Sequence, residues 1–132
     1  MKRILIVDDE PHIRFLIETI LTAEGYEVAT AATGDEALHI FWKHRYDLVL
    51  TDLILPGIDG IETILLLRAQ RPQVRIIAMS GGWNGGSQTC LPLAGKLGAC
   101  RTLAKPFDRA KLLHAIELEI GKPEAMPEQL SV

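Results

Sequence analysis

The chain has 132 residues, 48% of them apolar and 23% charged, which is the size and mix of one globular domain; wholesale disorder is excluded, and no second catalytic or DNA-binding domain is expected. The formal net charge of −3 gives no broad electrostatic reason for a nucleic acid or an anionic membrane as partner.

The N-terminus, MKRILIVDDE, has two basic residues and four apolar ones before three acids. That apolar run is too short for a signal-peptide core or a membrane span, so a cytoplasmic protein is expected. Arg3–Val7 reads as a first strand, and Ile13, Leu16, Ile17, Ile20 and Leu21 then fall on one helical stripe that stops at Gly25. A second strand is expected over Tyr26–Ala31. Thr33 with Glu36 has the form of a capping box that opens a second helix, whose apolar face begins with Ala37, Leu38, Ile40 and Phe41. A third strand follows over Asp47–Thr51, then a helix capped by Asp59 and stopped at Arg71-Pro72. Val74–Met79 and Cys100–Ala104 complete the strands. Between them a fourth helix is placed only if it starts near Thr89 or Cys90, with Pro92 in its first turn and Gly98 as its stop. A fifth helix starts after Asp108. Residues 1–121 form the expected domain, and KPEAMPEQLSV, 122–132, a flexible tail.

Near-continuous Val, Ile and Leu in three of the runs suits strands buried on both faces. Five βα units in one short domain predict an α/β fold with a doubly wound parallel sheet. Cys90 and Cys100 form no CxxC and have no clustered histidines, so free thiols are expected rather than a metal site or a disulfide.

Ligands of open α/β sheets bind at the carboxyl ends of the strands. Here those ends carry Asp8 and Asp9, then Asp52, Ser80 and Lys105, while the second strand ends in Ala31-Ala32. The omission agrees with a strand order of 2-1-3-4-5, which puts the second strand at an edge. Each residue has a plain role open to it: helix cap for Asp8 and Asp9, turn closure for Asp52, loop start for Ser80, solvated cation for Lys105. Together they form a chemical set. Three crowded carboxylates repel, and one lysine cannot balance them, so a divalent ion is the natural completion. Oxygen ligands beside open solvent suit Mg²⁺. A carboxylate nucleophile, a metal, a hydroxyl and a lysine are the parts of a phosphoryl-transfer site.

IVDDE, LVLTDLILPGIDG, IIAMSG and LAKPF, in that order and spacing, resemble the motifs of response-regulator receiver domains, over residues 3–120. The resemblance implies a flavodoxin-like fold of the stand-alone, chemotaxis-regulator kind and a phosphoacceptor in a two-component phosphorelay. It makes Asp52 the phosphoacceptor and matches Asp8 and Asp9 to the acidic pair that holds Mg²⁺, Asp9 directly and Asp8 through water. The Ile54 backbone carbonyl would be a further ligand. Ser80 matches the hydroxyl that receives a phosphoryl oxygen, Lys105 the lysine that pairs with it, and Lys105-Pro106 a bond that is often cis in the family. The implied partners are a histidine kinase or histidine phosphotransfer protein as donor and a downstream protein, met through the fourth helix, fifth strand and fifth helix. No enzyme activity is implied beyond the domain's own phosphorylation and dephosphorylation.

Two departures from the family pattern stand out. Thr102 occupies the position, three before the lysine, where many receivers carry a switching Tyr or Phe. Gly81-Gly82-Trp83-Asn84-Gly85-Gly86 reads either as a mobile connection whose Trp83 covers apolar surface or as a segment that orders on phosphorylation and anchors a partner. Ile54 and Gly82, two residues after Asp52 and Ser80, resemble positions that control water at the acyl phosphate; neither side chain can orient water, so slow self-dephosphorylation is expected. Three other readings compete. A haloacid-dehalogenase-like phosphatase needs an acid where Ile54 stands. An FMN-binding flavodoxin would need a phosphate loop where the acidic DDEPH stands. A degenerate receiver, acting only as a docking surface, would not need the complete site.

Overall fold

The computed structural model describes residues 2–58, 60–80 and 101–123. Five strands, β1 Arg3–Val7, β2 Glu27–Ala31, β3 Leu48–Asp52, β4 Arg75–Ser80 and β5 Arg101–Ala104, form one sheet in the order β2-β1-β3-β4-β5, with every pairing parallel. The helices described are α1 Pro11–Glu24, α2 Gly34–Lys43, α3 Gly60–Gln70 and α4 Arg109–Ile120. The α/β architecture and strand order match the sequence-based expectation. The expected fourth helix near Thr89 and Cys90, Gly98, the Asp59 cap, Trp83 and its glycines, Cys90, Cys100 and the tail beyond Pro123 lie outside the described residues.

Alternation along the strands divides the core into two layers. Leu5, Val7, Val49, Ile76 and Ala78 face α2 and α3, where they meet Ala37, Phe41, Ile64 and Leu67. Ile4, Ile6, Leu48, Leu50, Ile77 and Met79 face α1 and α4, against Ile17, Leu21, Leu112 and Ile116. Leu48, Val49 and Leu50 are all fully buried, since the central strand is covered from both sides.

β3 and β4 each lie one residue further along than expected, and β2 starts one residue later, at Glu27, while ending at Ala31 as expected. Asp47 joins the turn before β3, its side chain accepting the Arg3 N–H at 2.7 Å. Asp52, opposite Met79, and Ser80, opposite Ala104, are paired residues of the ladder itself. On α1, Ile17 and Leu21 are buried and Ile13 and Ile20 half-buried, but Leu16 is 53% exposed. The helix meets the sheet along a narrower face than the stripe predicts, and Leu16 lines a cleft with Ile13, Pro106 and Phe107.

The caps form largely as expected. Thr33 Oγ1 accepts the Glu36 N–H at 3.1 Å, while Glu36 reaches back to the Ala32 N–H at 2.6 Å, one residue short of the reciprocal partner of a standard box. Asp108 accepts the Lys111 N–H at 2.8 Å. Gly25 closes α1 at φ 103°, a left-handed conformation that favours glycine. Neither Asp8 nor Asp9 caps α1; Glu10 holds that position without a side-chain hydrogen bond, and Pro11 opens the helix.

At the amino edge of the sheet, the end of α4 is tied to the first residues of the chain. Lys2 Nζ donates to the Ile120 carbonyl, and the Tyr26 hydroxyl donates to the Gly121 carbonyl at 3.0 Å. Burial, with Glu117 and Glu24 nearby, pushes the Tyr26 phenol up to about 12. In the unfolded chain the phenol ionises near 10.0, so the stability that the neutral phenol contributes is complete below pH 10 and is lost as pH rises toward 12. Tyr26→Phe is expected to cost about 1 kcal/mol at pH 9. The gap from wild type should narrow by pH 11, measured by urea denaturation at the two pH values.

Candidate functional site

Four adjacent strands, β1, β3, β4 and β5, deliver polar residues to the carboxyl edge, as their parallel alignment requires. Asp8 follows β1 and is fully buried. Asp52 ends β3 with 7% of its surface exposed, and Ser80 ends β4 with none exposed. Lys105 follows β5, and its main-chain N–H donates to the Ser80 carbonyl at 2.8 Å, continuing the strand pairing by one step. Thr102 lies exposed on β5 opposite Ala78.

Lys105 Nζ reaches across the edge and donates to Asp8 Oδ2 at 2.6 Å and to Asp52 Oδ2 at 2.8 Å. Each remaining carboxylate oxygen is met by a main-chain N–H: Glu10 donates to Asp8 Oδ1 and Ile54 to Asp52 Oδ1, both at 2.9 Å. Asp9 stays exposed, yet one oxygen each of Asp8, Asp9 and Asp52 lie within 4.8 Å of one another. The structure thus brings together the three predicted acids and the predicted lysine. Ile54 stands at the lip with its side chain 57% exposed, and its N–H holds the Asp52 carboxylate. Lys105-Pro106 is cis.

Burial is the largest influence on Asp52 and raises its pKa, with the Asp8 charge adding to the rise; the Lys105 hydrogen bond, the Ile54 N–H and the Lys105 charge pull it down without cancelling it. For Lys105 burial works downward, but hydrogen bonds and charge from Asp52 and Asp8 outweigh it, so its pKa is raised and the ammonium persists. Asp52 is therefore a desolvated, relatively basic carboxylate held in one orientation.

Two features were not legible beforehand. Arg14 Nη1 donates to the Asp8 main-chain carbonyl at 2.7 Å, and nothing in the sequence marks Arg14 apart from a basic residue early in α1. Gly60 starts α3 with its N–H on the Leu53 carbonyl at 2.8 Å. A Cβ there would sit 2.1 Å from the Asp52 carbonyl oxygen, so only hydrogen fits. The connecting loop turns at Pro56-Gly57, where Gly57 has φ 74°.

The oxygen-only donor set, partly buried and partly open to solvent, fits a small hard divalent cation. Its charge supports the same conclusion, because one ammonium leaves the cluster of three acids negative.

The family described as response regulator receiver domain matches residues 4–117. Sporulation initiation phosphotransferase F of Bacillus subtilis is 38% identical over 116 residues, covering 88% of this chain and 91% of that protein. A response regulator receiver domain protein from Clostridium thermocellum superposes with a TM-score of 0.85 at 30% identity, covering all of both chains. Response regulator protein TrrA from Thermotoga maritima, solved in complex with Mg²⁺-BeF, superposes with a TM-score of 0.79 at 37% identity over 89% of this chain and 98% of that one.

Removing the shared cation leaves two buried carboxylates facing each other. Lys105→Met is expected to cost about 3 kcal/mol in metal-free buffer at pH 7, measured by urea denaturation. In the Lys105→Met background, Asp52→Asn should restore most of that loss because it removes one of the two repelling charges.

Proposed function

Because the chain belongs to the response-regulator receiver domain family, we propose that it signals by accepting a phosphoryl group on Asp52 from the phosphohistidine of a histidine kinase or histidine phosphotransfer protein. Asp8, Asp9, Asp52 and the Ile54 carbonyl would hold Mg²⁺. The metal, when bound, neutralises phosphoryl oxygens and so lets an anionic nucleophile approach an anionic donor.

The chain's own residues supply the rest. An Asp52 carboxylate oxygen attacks phosphorus; the phosphorus–nitrogen bond of the donor breaks, its electron pair returns to the imidazole, and an aspartyl phosphate is formed. The Ile54 N–H orients the nucleophile. Lys105, hydrogen-bonded to Asp52, would turn to pair with a phosphoryl oxygen, and Ser80, at the end of the neighbouring strand, would donate to another. The observation that carries this reading is the single ammonium bridging Asp8 and Asp52 at 2.6 and 2.8 Å inside an acidic cluster. A phosphorylation-independent docking role would need none of this arrangement. In this reading the donor and the downstream target are both proteins, and the exchange is cytoplasmic.

Incubation with phosphoramidate and Mg²⁺, followed by intact mass measurement, should give one phosphoryl adduct on wild type and none on Asp52→Asn. Omitting Mg²⁺ should slow the reaction strongly. An equal adduct on the variant would place the phosphoryl group elsewhere.

Once formed, the aspartyl phosphate is expected to be long-lived, because the exposed Ile54 side chain at the lip cannot hydrogen-bond an attacking water. Ile54→Asn should shorten the half-life several-fold, followed by phosphate release. A wild-type half-life of seconds that Ile54→Asn leaves unchanged would contradict this.

A further inference from the structure

Arg14 is the fourth residue of α1, and its guanidinium reaches back over the helix start to the Asp8 main-chain carbonyl. We propose that Arg14 is a positioning residue for the acidic cluster: it fixes the peptide between Asp8 and Asp9 and thereby sets the direction in which Asp9 presents its carboxylate to a divalent cation. This rests on the reading of the cluster as a Mg²⁺ site.

The hydrogen bonds of Asp8 show why the contact matters. Its N–H donates to the Ala31 carbonyl at 3.1 Å, Oδ1 accepts from Glu10, and Oδ2 accepts from Lys105. The carbonyl lies beyond Val7, the last residue of β1 in the sheet register. Arg14 supplies its donor, which a buried carbonyl needs. That carbonyl shares a rigid plane with the Asp9 N–H, so holding one orients the other. The Asp9 side chain has no hydrogen bond or ion pair of its own among the described residues. The backbone that Arg14 holds therefore sets where the Asp9 Cα–Cβ bond points, and with it the positions its carboxylate can reach.

Arg14 also carries a positive charge near the site, and charge alone would act in the opposite sense, since removing a cation helps another cation bind. At a partly exposed position that effect is weakened by salt, whereas a misdirected ligand is not corrected by it. The two influences thus predict opposite outcomes for the same substitution.

Mg²⁺ binding is measured by titration calorimetry at low and at physiological ionic strength, on wild type, Arg14→Met, Arg14→Lys and Asp9→Ala, with circular dichroism showing each variant folded. Arg14→Met is expected to raise the Kd about tenfold at both salt concentrations, as outer residues that orient metal ligands commonly do. Arg14→Lys, which keeps the charge and a single donor, should recover part of the affinity. A Kd in Arg14→Met equal to or tighter than wild type would overturn the proposal. So would a fall in urea stability with the Kd of the folded protein unchanged. If Asp9→Ala weakens binding and Arg14→Met does not, the metal site stands and the role of Arg14 fails. A wild type that binds no Mg²⁺ at tens of millimolar would overturn both.

Discussion

Two buried carboxylates share one ammonium at the carboxyl edge of the sheet, and much of the local structure serves to keep them there. Asp8 and Asp52 end or follow adjacent strands, so a parallel sheet holds them side by side whatever their mutual repulsion. Burial raises the Asp52 pKa, and Lys105 limits the rise by binding both acids. The third acid, Asp9, stays in water, where its charge is solvated. A full set of three buried carboxylates would be far costlier, and a site with none would attract no cation. The arrangement is a compromise in which Lys105 offsets part of the buried charge and Asp9 presents further negative charge to solvent.

The remainder of the fold meets the demands of that edge. Leu48, Val49 and Leu50 bury the central strand on both faces, so Asp52 projects from a rigid support. The start of α3 lies against the main chain just beyond it, a contact that Gly60 alone permits because its hydrogen occupies the space a methyl would need. Main-chain N–H groups of Glu10 and Ile54 take up the carboxylate oxygens that the lysine leaves. At the opposite edge, Lys2 and Tyr26 fasten the end of α4 to the beginning of the sheet. The chemistry is at one end of the strands and the closure of the chain at the other, so changes in one need not strain the other.

Where expectation and structure differ, the cause is geometry between elements. The α1 stripe includes Leu16 by helical periodicity, but the sheet covers only Ile17 and Leu21 fully and leaves Leu16 on the rim of a cleft. Asp52 reads as the residue after a strand because a carboxylate interrupts an apolar run; it pairs with Met79 because β4 extends far enough to keep the ladder going. Glu36 forms its back-bond one residue earlier than a standard capping box, to Ala32.

Local pattern alone determined the five strands, the α/β class, the caps at Thr33 and Asp108, and the identity of the acids and the lysine, because each depends on periodicity or on residue type at a fixed spacing. The tertiary structure alone decided how those residues meet. Lys105 bonds Asp8 across 97 positions of the chain and Asp52 across 53, and no local spacing encodes which oxygen a lysine will choose at such range. Arg14 and Gly60 belong to the same class: an arginine in a helix and a glycine at a helix start are unremarkable in one dimension. Their importance arises when folding brings the Asp8 carbonyl within reach of one and the Asp52 carbonyl against the other.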